Sequence, residues 1–117
     1  MKTKKFFAVL AVLGLLVSCA STKPHPMDMT QAVLNAKSAA DHDALARHYD
    51  DAAKEMQKRA DEHKKLLEEY ESKSYHYGKQ AQELQAHCRG LIRYYEQAAK
   101  ANAGMAKAHR EIAAAMK

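Results

Sequence analysis

Shifted by 46 positions, residues 39–67 and 85–113 of this chain read as imperfect copies of one another. Leu45, Tyr49, Ala52, Ala53 and Lys54 lie over Leu91, Tyr95, Ala98, Ala99 and Lys100, His42 lies over Cys88, and Ala60 and His63 lie over Ala106 and His109. Within each copy the apolar positions step by three and four, the spacing that collects them on one side of an α-helix. His42, Leu45, Tyr49, Ala52, Met56, Arg59, His63, Leu66 and Tyr70 form the first seam, widened by Ala53, Ala60 and Leu67. Ala81, Leu84, Cys88, Leu91, Tyr95, Ala98, Asn102, Met105, His109, Ile112 and Met116 form the second. The copies predict two long helices packed on each other.

Between them the pattern breaks at Ser72-Lys73-Ser74-Tyr75-His76-Tyr77-Gly78-Lys79, where Gly78 suits a left-handed, helix-ending position. The predicted fold class is all-α: an antiparallel long-helix hairpin, coiled-coil-like or bundled, with arms over about 38–72 and 80–116 and a turn at 73–79. Each arm of about 35 residues is roughly 50 Å long. A short third helix is expected ahead of the hairpin, from Met29 to about Lys37, and 29–117 form one helical domain. Ser38 followed three places later by Asp41 makes a weak capping box, which places a break near Ala36–Ser38. Gly90 and Gly104 each weaken the second arm by about 1 kcal/mol relative to alanine.

The first eighteen residues read as an export signal. Lys2, Lys4 and Lys5 supply its positive end, and Phe6 to Val17 an apolar run of twelve that is too short for a permanent membrane span. The signal ends in Leu16-Val17-Ser18-Cys19, which resembles the lipobox of bacterial lipoproteins. That resemblance implies cleavage before Cys19, diacylglycerol on its thiol and an acyl chain such as palmitate on its amine. Two or more chains give stable anchoring. By the same resemblance, Ala20 after the cysteine, where an Asp would retain the protein at the inner membrane, implies the outer membrane facing the periplasm. Residues 19–28 hold both prolines, Pro24 and Pro26, and read as an extended lipidated tether.

The lipobox, an alanine-rich heptad body and Lys117 together resemble the Braun-type murein lipoproteins, whose terminal lysine is joined to peptidoglycan. Those are single uninterrupted helices, whereas this chain turns at 72–79 and carries Lys117 back toward the anchored end. A covalent link across the periplasm is therefore not expected here.

Composition narrows the remaining choices. The chain is 47% hydrophobic, but much of that lies in the signal and in alanine, and beyond Cys19 there is no Phe or Trp. The large aliphatics left, from Val33 to Ile112, are a thin supply for a core, so self-association as a homodimer or a third packed helix is expected. Removing Lys2, Lys4 and Lys5 from nineteen basic residues leaves sixteen against fourteen acidic, a net charge of +2. That is too mild a charge to indicate a nucleic-acid partner.

Four seam positions hold His42, His63, Cys88 and His109, where leucine would pack better. In a hairpin folded about residues 75–76, position i lies near 151 − i, so His42 meets His109 and His63 meets Cys88. Neutral imidazole and thiolate are ligands that Cu and Zn favour. Met105, one turn before His109, would complete a soft site there, and His87 or Met56 lies within reach of the other pair. The competing reading is that these are satisfied seam residues, with Met as gap-filling core. Cys88, alone once Cys19 is lipidated, is inert, a ligand or a disulfide link between chains. Tyr70, Tyr75, His76 and Tyr77 cluster at the turn, either as a partner contact or as a cap over the open end of the seam.

No phosphate loop, nucleophile elbow or metalloprotease pattern is present, so an enzyme is not expected. The expected function is that of a lipid-anchored envelope protein with a structural or interaction role, needing no cofactor. The alternative is a Cu- or Zn-binding periplasmic lipoprotein that buffers metal.

Overall fold

The computed structural model describes residues 28–117; the expected export signal, Cys19 and the expected tether before Asp28 lie outside the described residues. Asp28 caps the first helix, α1 (Met29–Asn35), by accepting from the Gln31 amide at 3.2 Å. The chain then breaks and restarts at Ser38. There the Ser38 hydroxyl accepts from the Asp41 amide at 3.1 Å, while the Asp41 carboxylate accepts from the amides of Lys37 at 2.9 Å and Ser38 at 3.0 Å. These donors, Lys37 foremost, hold the Asp41 carboxyl below the usual carboxylate range. The box starts α2 (Ala39–Ser72), a run of 34 residues with no glycine or proline to interrupt it.

Two short 3₁₀ turns, Ser74–His76 and Gly78–Gln80, reverse the chain into α3 (Ala81–Ala115). Gly78 has φ 57°, the left-handed region in which a side chain is strained. A Cβ there would meet nothing within 4 Å, so the backbone angle and not lack of space selects glycine. The described residues form an all-α hairpin in which α2 and α3 pack along their length, with α1 as the short third helix. Among them no helix is long and apolar enough to cross a membrane.

The seam itself differs from the expected one. The buried residues are Leu45, Ala46 and Ala60 on α2, and Ala81, Cys88, Ala99, Ala106, His109 and Ala113 on α3. Leu91, Met105 and Ile112, assigned to the seam by their spacing, stay 37%, 43% and 42% exposed. The physical reason lies in the alanines at 46, 53 and 60 and at 99, 106 and 113, seven apart on each arm. Helices that meet through alanine approach closely, and among the described residues the only large aliphatic side chain buried there is Leu45. The larger side chains are rotated to the flank.

The hairpin has an internal two-fold relation that its ion pairs make explicit. Lys64 binds Glu96 at 2.7 Å across the arms, and Arg110 binds Asp50; each pair is the other moved by the repeat shift of 46 residues. Arg89 with Glu71 at 2.7 Å and Lys117 with Asp43 at 3.4 Å are related in the same way, with the charges exchanged. Exposed pairs of this kind contribute little stability, about 0–1 kcal/mol each. Their value is to fix the register of one arm on the other.

Candidate functional site

Two polar clusters interrupt the alanine seam, and the same two-fold relation exchanges them. Toward the open end of the hairpin, His42 Nδ1 lies 3.0 Å from His109 Nδ1, and the rings stack with centroids 5.3 Å apart. Tyr49 stacks on His109 at 5.6 Å and 6°. Toward the turn, Cys88 Sγ faces His63 Nδ1 at 4.0 Å, and Tyr95 stacks on His63 at 5.7 Å and 16°. His42, Tyr49 and His109 become Cys88, Tyr95 and His63 under the shift that relates the arms. One arrangement is therefore built twice, some 31 Å apart by the rise of an α-helix over 21 residues.

Each cluster has a physical logic. The tyrosine lies one heptad beyond His42 or Cys88, on the same face, and holds the partner histidine's ring nearly parallel to its own. Two Nδ1 atoms 3.0 Å apart require one to donate and the other to accept, so the open-end pair is satisfied with at least one imidazole neutral. Burial, seconded by the charge of His42, pushes the His109 pKa below the ordinary histidine value. Burial likewise pushes the Cys88 thiol up. Cys88 is free and 5% exposed, and His109 is 7% exposed. A thiol so covered suits an inert or ligating role better than a cross-link to a second chain.

The structure thus brings together His42 with His109 and His63 with Cys88. It leaves Met105 half-exposed on the flank, one turn from His109. His87 turns outward to Glu83 at 3.6 Å, away from the turn-end pair. The spacing alone assigned Tyr49 and Tyr95 to the seam without linking them to the histidines; the signal that links them is their recurrence seven residues after His42 and Cys88.

At the turn, the four aromatic residues separate into two kinds. Tyr70 and Tyr77 pack edge to face at 4.9 Å, and the Tyr77 hydroxyl donates to Glu69 at 3.2 Å, closing the end of the seam. Burial and the Glu69 charge raise the Tyr77 pKa, while Lys73 foremost lowers that of Glu69. Tyr75 and His76 are exposed, their rings 4.2 Å apart.

The two clusters give the fold a pH window. His109 has a folded pKa below its unfolded value of about 6.5, so the unfolded chain binds more protons and stability is lost as pH falls below that value. The groups facing it are His42 and Tyr49, while the nearby carboxylates of Asp43 and Asp50 are engaged by Lys117 and Arg110. Cys88 has the opposite sign: its folded pKa is raised, so stability is lost as pH rises past the unfolded thiol value of about 8.5. Thermal melts followed by circular dichroism should be highest between about pH 6.5 and about pH 8.5. His109→Leu is expected to flatten the acid side and Cys88→Ser the alkaline side. An acid limb unchanged in His109→Leu would rule this origin out.

No protein-family model, curated protein or solved structure matches this chain.

Proposed function

We propose that this chain is a lipid-anchored envelope protein, held to the outer membrane through Cys19 and facing the periplasm, that acts without catalysis through the outer surface of its hairpin. A second copy of the chain is the partner that surface fits best. The observation that carries the reading is a second apolar stripe on α3. Leu91, Tyr94, Ala98, Ala101, Met105, Ala108, Ile112 and Ala115 step by three and four without a single charge. Tyr94 is 62% exposed, and Leu91, Met105 and Ile112 are more than a third exposed.

A stripe of that spacing is what a helix presents to another helix. The outer face of α2 is quite different, carrying Lys54, Glu55, Lys58, Asp61, Glu62, Lys65 and Glu68. A hairpin whose interior is mostly alanine buries little apolar area, and pairing α3 with α3 of a second copy adds the large side chains that the seam excludes. The lipobox supports the anchored location.

In detergent micelles, the full chain should sediment as a dimer, and Leu91→Glu with Ile112→Glu as a monomer of unchanged helicity. A monomeric wild type would refute the paired form. Acyl labelling and membrane recovery, both lost in Cys19→Ser, would establish the anchor; a soluble, unlabelled wild type would remove it.

A further inference from the structure

We propose that Cys88 and His63 together form a binding site for a soft monovalent ion, Cu(I), which bridges the two arms near the turn. The distance is the first argument. At 4.0 Å the sulfur and Nδ1 are too far apart for a strong hydrogen bond, yet they face each other across a seam whose neighbours are in contact. Metal–ligand bonds of the length that zinc makes, about 2.3 Å to sulfur and about 2.0 Å to nitrogen, span about 4.3 Å laid end to end. One ion therefore joins the two atoms at a wide angle with little movement of either arm.

Orientation is the second argument. The Tyr95 ring, stacked at 16° on His63, holds the imidazole with Nδ1 turned toward the thiol. The open-end counterpart, His42 with His109, has the same tyrosine support but is closed by its own contact at 3.0 Å. That pair satisfies itself. The turn-end pair, built on the same plan, meets only at 4.0 Å, the outer limit of a hydrogen bond to sulfur.

The choice of ion follows from the donors. Thiolate with imidazole selects Cu(I) or Zn(II). Structural Zn(II) takes four ligands, and among the described residues no three His, Cys, Asp or Glu side chains converge. Cu(I), softer than Zn(II) and stable with as few as two ligands, is content with two donors of this kind. Binding exchanges the thiol proton for the metal: the S–H bond breaks, a sulfur–copper bond forms and one proton passes to solvent. Burial of Cys88 shields the bound thiolate from solvent and oxidants.

The test is anaerobic competition for Cu(I) between the full chain in detergent micelles and a chromophoric chelator, with Zn(II) run in parallel. Wild type and His109→Leu should each take one Cu(I) per chain. Cys88→Ser and His63→Leu should bind at least about 100-fold more weakly. X-ray absorption of the loaded wild type should show one sulfur and one nitrogen neighbour, a readout that holds even if a variant misfolds. Failure of the wild type to compete, a copper environment without sulfur, or undiminished binding by a folded Cys88→Ser would each overturn the site. Tighter retention of Zn(II) than of Cu(I) would overturn the choice of ion.

Discussion

Leu45→Ala is expected to destabilise the hairpin by about 2–5 kcal/mol, a large share of what a domain of this size possesses. Leu45 is the one large aliphatic side chain in the buried set, 2% exposed among alanines, a cysteine and a histidine. It sits where α1 approaches α2, beside a shallow groove lined by Ala32, Asn35, Ala36, Asp41 and Ala44. Removing it opens a cavity beside that groove, lined largely by alanine and short polar side chains. The repeat supplies an internal control, because Leu91 occupies the equivalent position of α3 and is exposed. Leu91→Ala should cost under about 1 kcal/mol in the monomer and should instead weaken association. Thermal melts at two protein concentrations separate the effects. Equal losses for the two variants in dilute monomer would mean that Leu91 is as covered as Leu45, against the exposure seen here.

Ala60→Leu is the second large effect, and helix propensity alone does not suggest its size. Alanine and leucine are close in intrinsic preference for a helix. Ala60 and its repeat mate Ala106 are 0% exposed, however, and face the other arm at close quarters. Three added carbons must either force the arms apart or bend a side chain off its rotamer, which costs about 1–3 kcal/mol at each position. Urea unfolding should show a lower midpoint with an unchanged slope. Ala86→Leu, on an exposed face of the same helix pair, should change stability by less than about 0.5 kcal/mol. A seam that accepted leucine at 60 without loss would not be an alanine seam.

The hairpin was legible because the same spacing occurs twice and Gly78 stands between the copies. The capping box was legible because Ser38 and Asp41 hold their roles within one turn of chain, where no distant packing can alter them. Pairing His42 with His109 and His63 with Cys88 needed only the position of the turn. Rotation of the arms about their own axes was not legible. Counting apolar residues favoured Leu91, Met105 and Ile112 for the interior, since burial per residue is larger for them than for alanine. The competing term was close approach: alanines seven apart let the backbones come together, and the larger residues lost their place. The role of Tyr49 and Tyr95 depends on that rotation, so it too emerged only from the packing.

The order in which contacts close follows from the single reversal at Gly78. Near the turn, Tyr77 reaches Glu69 over 8 residues and Gln85 reaches Tyr70 over 15, whereas at the other end His42 meets His109 over 67 and Lys117 meets Asp43 over 74. Closing a short loop costs less chain entropy than closing a long one. The arms therefore zip from the reversal outward, each rung shortening the loop that the next must close. Fraying runs the other way, beginning at the rung between Lys117 and Asp43, so thiol and imidazole at 88 and 63 are the last such pair to part.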